Sequence, residues 1–189
     1  MLKLATLITP VDFHAGDSLL TRWSKHIDTG RLAQAPCNIP GPVISGVFQL
    51  LRPFADLQRQ VRLLPAAGAP QNLELTALME QWMERGPAQP ARAFAEFVRW
   101  FFQQNRLVRG NLVLGGRTVD LSRIEAAVFN LFAAQDHIVP PQSAAALRRF
   151  VPAARYQERR FAGGHIGLLV SRRAQQGVLT ELAAWLAGG

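Results

Sequence analysis

The stretch Ala126-Ala127-Val128-Phe129-Asn130-Leu131-Phe132-Ala133, followed by Asp136-His137-Ile138-Val139-Pro140-Pro141, decides how the chain is read. Its first part is almost continuously apolar, the pattern of a strand buried on both faces of a parallel sheet. A carboxylate then stands just past the strand's carboxyl end, where open α/β sheets bind ligands. Asp136 also has a plainer reading, as a turn former that bonds nearby backbone N–H groups. Downstream, Arg155 to Phe161 reads as another strand and Gln142 to Phe150 as the helix between the two. Beyond that second strand comes Gly163-Gly164-His165-Ile166-Gly167. Two glycines before His165 permit a tight turn with positive φ, which would set the imidazole in the crevice at the sheet edge. Alone, His165 could equally be a surface loop histidine. Asp136 and His165 are 29 residues apart, one βαβ unit, so both fall at the same edge of neighbouring strands.

Outward from this unit, Leu2 to Ile8 reads as a further interior strand ended by Thr9-Pro10, because proline cannot donate to a central ladder. Leu112 to Leu121 alternates around Gly115-Gly116, a hairpin signal. Gly177 to Leu186 is a final amphipathic helix. Three parallel strands with intervening helices give an α/β class. Between about Val11 and Asn105 the periodicity is helical and broken by Pro and Gly. Asp17 or Ser18 can cap a helix through Trp23. Pro36 to Pro42 is a loop, Val43 to Leu51 a short apolar helix, and Asn72 a cap for Leu73 to Arg85. Ala91 to Gln104 sets Phe94, Val98, Phe101 and Phe102 on one face. This segment, 11–105, reads as a helical lid inserted over the carboxyl edge of the sheet, with 106–189 as the C-terminal α/β part of one domain.

Composition narrows the functional classes. At 189 residues the chain can bury a core, and no apolar run reaches the ~18 residues of a membrane span. Without a cleavable signal, the expected address is cytoplasmic. A single cysteine excludes an internal disulfide and a cysteine-cluster metal site. The net charge of +8 invites a nucleic-acid reading, but among 21 basic residues only Lys3 and Lys25 are lysines and the arginines are scattered. That is a generally basic surface rather than a binding stripe. The pairs Arg148–Arg149, Arg159–Arg160 and Arg172–Arg173 could still favour an anionic ligand such as a phosphorylated carrier. The histidines His14, His26, His137 and His165 lack paired metal-ligand spacing.

An acid that orients an imidazole, and an imidazole that activates a nucleophile, is the logic of a catalytic triad. In α/β hydrolases the chain order is nucleophile, acid, histidine, and here the last two stand in order. The nucleophile is missing. No Gly-x-Ser-x-Gly or Gly-x-Cys-x-Gly elbow occurs, and the six serines lie outside strand-to-helix elbows. Cys37, between Pro36 and Pro40 with no preceding strand, reads as a loop or lid cysteine.

Five segments in order, Thr9-Pro10-Val11-Asp12-Phe13, Asn38-Ile39-Pro40-Gly41, Gln104-Asn105-Arg106-Leu107, Asp136-His137-Ile138-Val139-Pro140-Pro141 and Gly163-Gly164-His165-Ile166-Gly167, resemble the landmarks of class III polyhydroxyalkanoate synthases. They cover nearly the whole chain. The resemblance implies the C-terminal part of an α/β-hydrolase fold and a cytoplasmic, storage-granule acyltransferase that polymerises (R)-3-hydroxyacyl-coenzyme A. It implies Asp136 as triad acid, His165 as general base for the thiol or the incoming hydroxyl, and a cysteine nucleophile with no metal or redox cofactor. A second, non-catalytic subunit and hence an oligomer are implied as well. The chain departs from the family in lacking the cysteine elbow, so it is expected to be inactive alone. Two other readings stand beside this one. An esterase or depolymerase of another α/β-hydrolase family would use the same pair, since the fold does not fix the acceptor. A non-catalytic granule- or partner-binding module would use the apolar helices Val43 to Leu51 and Ala91 to Gln104 for docking.

Overall fold

A computed structural model describes residues 2–50, 78, 81 and 86–188. The chain forms two compact units, one of residues 1–27 with 97–189 and one of 28–96.

The first unit is built on a three-stranded sheet. Strands β1 (Lys3–Leu7), β4 (Ala127–Ala133) and β5 (Tyr156–Phe161) lie in the order β1-β4-β5, all parallel. Its centre is β4, and Val128, Phe129, Leu131 and Ala133 are fully shielded from solvent. Each large apolar side chain so buried contributes ~1.5–3 kcal/mol. The alternation sends Phe129, Leu131 and Ala133 into one core with Ile8, Phe161, Leu168 and Leu182, while Val128 joins Val11, Leu147 and Val151 in another.

The interior strand expected over Leu2 to Ile8 lies at an edge of the described sheet. It is only half buried, with Leu4 37% and Leu2 80% exposed. Ile8, just past its end, has φ +51 and donates its N–H to Leu131 O at 2.8 Å. A β-branched residue rarely takes that conformation, and burial in the core holds it there.

The tight hairpin between β2 (Val113–Leu114) and β3 (Arg117–Thr118) forms as its two glycines dictate. Gly115 and Gly116 have φ +55 and +75, the double positive φ of a two-residue type I′ turn.

Helices flank the strands. The segment read as one helix from Gln142 to Phe150 is a short α-helix, α5 (Pro141–Ala145), continued as a 3₁₀ turn over Ala146–Arg149. Pro141 starts it, since a first-turn residue needs no N–H donor. Two helices not foreseen, α6 (His165–Val170) and α7 (Arg172–Gln176), follow β5, and α8 (Val178–Ala187) closes the chain. Lys3 reaches the end of α8, donating to Trp185 O at 2.7 Å, to Leu186 O at 3.1 Å and to Gly188 O. These are carbonyls the helix itself leaves without partners, and a cation there also suits the helix dipole.

In the same unit, α1 (Leu19–Ser24) starts after Ser18, whose hydroxyl is buried but makes no capping bond; Asp17 instead pairs with Arg22. The helix read from Ala91 to Gln104 is α-helical only over Ala91–Phe97 (α4). From Val98 to Gln103 it widens into a π-turn. There Phe101 and Phe102, with Phe97, surround the Phe13 ring at centroid distances of 4.9 to 6.2 Å. Edge and tilted contacts of this kind stabilise by ~0.5–1.5 kcal/mol each beyond burial.

The second unit holds α2 (Thr29–Ala33), α3 (Gly41–Leu50) and all of α4 but its last residue. The side chain of Asp28 caps α2 by accepting from Gly30 N and Arg31 N, both at 3.0 Å. Between the helices, Ile39 and Gln89 exchange two backbone bonds of 2.8 and 2.9 Å. The Asn72-capped helix read over Leu73 to Arg85 lies outside the described residues, save Leu78 and Gln81, which are helical.

Candidate active site

Strand β4 ends at Ala133, and a turn over Ala134 and Gln135 brings Asp136 to the carboxyl edge of the sheet. Its side chain is fully buried. One carboxylate oxygen, Oδ1, accepts from Ile138 N at 2.9 Å and Val139 N at 2.8 Å. The other, Oδ2, lies 2.7 Å from Nδ1 of His165. Asp136 therefore makes the turn bonds and the contact with the imidazole at once, each through its own oxygen. The backbone bonds fix the carboxylate's direction, and that direction is toward the imidazole.

His165 comes from the next strand, as the βαβ spacing requires, but its local setting differs from the expected turn. It is the first residue of α6, preceded by Gly164 in extended backbone with φ −94 and ψ −179. Neither Gly163 nor Gly164 has a positive φ. Glycine at 163 is needed for space: a Cβ there would lie 2.4 Å from the Phe161 ring. With Asp136 as the carboxylate, Nδ1 carries the shared proton, so Nε2 is the nitrogen left to take a proton from a reactant. The imidazole is partly open, its side chain 26% exposed.

The other candidates have surroundings of their own. Cys37 is free and exposed in the loop between α2 and α3. His137 is exposed, and His14 shares a 2.8 Å bond between its Nε2 and Phe102 O. Among the described residues, no group of three or more His, Cys, Asp or Glu could hold a metal ion. The serines take structural places: Ser143 is buried in α5, Ser171 caps α7 through Ala174 N, and the Ser24 hydroxyl donates to Thr21 O. Several arginines suggested for an anionic ligand are engaged by carboxylates of the chain, Arg148 by Glu158 at 3.6 Å, Arg149 by Asp12 at 2.5 Å and Arg159 by Glu181 at 2.6 Å.

A polar network close to the sheet was not foreseen from the sequence. Asp12 accepts from Asn105 Nδ2 at 2.8 Å and His14 N at 3.1 Å, and pairs with Arg149. Asn105, buried and with φ +49, accepts from Phe13 N at 3.0 Å. Burial pushes the Asp12 carboxyl up, but the bonds from Arg149, Asn105 and the His14 backbone outweigh it and hold the group below its usual range. The network ties the segment after β1 to the segment after the π-turn. Val11 N and Asp12 N also donate to Ser143 O, at 3.3 and 3.2 Å, which fastens the same loop to α5, just beyond Asp136.

No family model matches the chain. The poly(3-hydroxyalkanoate) polymerase subunit PhaC of Allochromatium vinosum is 38% identical over 185 residues, covering 97% of this chain and 52% of that protein. The PhaC subunits of Thiocystis violacea and of Synechocystis sp. are 35% and 31% identical, each across 97% of this chain and 52% and 51% of their own length. Among solved structures, the non-heme bromoperoxidase BpoC of Mycobacterium tuberculosis H37Rv aligns over 96% of this chain and 57% of its own, at 17% identity and a TM-score of 0.49. That likeness of architecture says nothing about activity. The chain spans about half the length of the curated relatives it matches, and along that half it is similar to the poly(3-hydroxyalkanoate) polymerase subunit PhaC.

Proposed function

We propose that this chain supplies the acid and the general base of a polyhydroxyalkanoate synthase, an acyltransferase that joins (R)-3-hydroxyacyl groups from coenzyme A thioesters into polyester and releases coenzyme A. The observation that carries the reading is the 2.7 Å contact between Asp136 Oδ2 and His165 Nδ1 at the carboxyl edge of a parallel sheet, in a chain akin to PhaC over 97% of its length. In this reading His165 Nε2 takes the proton of a cysteine thiol, the thiolate attacks the thioester carbonyl, and the proton passes to the departing coenzyme A sulfur. The same nitrogen then takes the proton of the hydroxyl that attacks the acylated cysteine. Asp136 keeps the ring oriented and stabilises its protonated form.

The thiol comes from a segment outside these 189 residues, since no cysteine elbow occurs in the sequence, so the chain alone turns nothing over. Segment 11–105 serves as the lid. The growing polyester, a second non-catalytic subunit and the surface of a cytoplasmic storage granule are its partners in this reading. Among the described residues, no helix is long and apolar enough to cross a membrane.

The test is complementation. The chain is co-produced with the remaining half of the Allochromatium vinosum subunit and assayed for coenzyme A release from (R)-3-hydroxybutyryl-coenzyme A. Release by the pair, and by neither half alone, supports the reading. A pair that folds, releases no coenzyme A and cleaves simple esters would point to a hydrolase of another family.

A further inference from the structure

The chain just past β5 carries a feature that neither the pair nor the family likeness explains. The Phe161 carbonyl accepts two backbone bonds, from Ala134 N at 2.8 Å and from Gly163 N at 3.0 Å. The second closes a three-residue turn around the exposed Ala162. The Gly163 carbonyl in turn accepts from Gln135 N at 2.9 Å. The two chain segments thus stay bonded beyond the strand ends, up to the residue before Asp136 on one side and two residues before His165 on the other.

This turn folds residue 163 back onto the Phe161 ring. A Cβ at Gly163 would lie 2.4 Å from Cε1 and 2.9 Å from Cδ1 of that ring. The ring cannot simply swing away, because Phe161 is buried in the core cluster with Phe132, Val139 and Leu168. Its neighbours tolerate more. A Cβ at Gly164 would sit 3.6 Å from Gln135 O, an ordinary contact, and one at Gly167 would meet nothing within 4 Å.

We infer that Gly163 is a positioning residue for His165: its bare Cα lies against the Phe161 ring, and that close approach sets the reach of Nδ1 to Asp136. A side chain at 163 pushes the loop off the ring, because the packed core resists more than the loop does. His165 then leaves hydrogen-bond range of a carboxylate that its own backbone bonds hold in place. The inference rests on Asp136 and His165 being the working pair, and its test reads their bond directly.

The probe is the proton NMR spectrum of the chain, in which a histidine Nδ1 proton bonded to a carboxylate resonates far downfield, with Asp136→Asn to assign it. Gly163→Ala is expected to lose the resonance. Gly167→Ala is expected to keep it. The double variant Phe161→Leu with Gly163→Ala, where the ring is gone, is expected to regain it. A Gly163→Ala chain that keeps the resonance overturns the inference alone. So does a double variant that lacks it, folded or not. Absence of the resonance from the unsubstituted chain overturns the pairing of Asp136 with His165 as well.

Discussion

Asn130 sits in the middle of β4, fully buried, between Phe129 and Leu131 of the core. Its Oδ1 accepts from the Thr6 hydroxyl of β1 at 2.9 Å, and its Nδ2 donates to Ala144 O of α5 and to the Tyr156 hydroxyl of β5, both at 2.9 Å. One side chain thus joins all three strands and a helix. Replacing Asn130 by Leu keeps the branched heavy-atom skeleton and removes three bonds, each contributing about 1 kcal/mol net. Some of that is offset because an apolar side chain suits a dry site better, leaving a loss of about 2 kcal/mol. That is a large fraction of the ~5–15 kcal/mol of a whole domain. With a urea slope of ~1–3 kcal/mol per molar, the unfolding midpoint in dilute solution should fall by about 1 M at unchanged slope. A midpoint within about 0.2 M of the unsubstituted chain, measured by circular dichroism, would refute the reasoning. It would mean that the buried bonds merely replace those made with water.

Tyr156, the sole tyrosine, is pushed up to about 12: burial raises it most, the Asn130 bond lowers it and the Glu158 carboxylate raises it. Its phenolate absorbance should therefore appear near pH 12 in the folded chain and near ~10 in denaturant. The corresponding stability is fully present below the unfolded value and lost as pH rises through about 12; a folded-state midpoint near ~10 would contradict the buried network. Asp12→Asn should destabilise the chain at neutral pH by about 1–3 kcal/mol, through loss of charge-assisted bonds to Arg149 and the backbone. Because the folded carboxyl is held below its usual 3.8, that stability is present above the usual value and lost as pH falls through the folded one. The deficit of the variant in thermal unfolding should therefore shrink in acid, and a deficit independent of pH would argue against an ionised Asp12.

Much of this architecture is legible in the sequence, for identifiable reasons. The strands at Ala126 and Arg155 are short apolar or alternating runs bounded by turn residues, and they form within a residue or two of the expected bounds. Gly115-Gly116 permits few structures other than the turn it makes. Asp136 and His165 stand out because strand ends fix where loop side chains can go. What was missed depends on distance or on fine backbone geometry. Asp12 and Asn105 are 93 residues apart in two loops, and nothing local announces their bond. The π-turn at Val98 keeps helical periodicity while shifting its hydrogen bonds. Two other signals were present. A lone Asn inside an apolar strand demands buried partners, and Ser171 is a good N-cap for α7, bonding Ala174 N at 3.2 Å. The glycines before His165 suggested a left-handed turn, but they serve close approach to Phe161.

In the proposed function, Asp136 and His165 serve acyl transfer to a thiol that lies outside these 189 residues. The measurement that bears on it most directly is the rate of coenzyme A release by the complemented pair carrying His165→Ala or Asp136→Asn, at equal amounts of folded complex. Loss of a general base costs ~10²–10⁴-fold, and an acid that only orients the base can cost as much. The account predicts a fall in that range for each variant, with binding of the two halves unchanged. A complex that keeps its full rate after His165→Ala would contradict it.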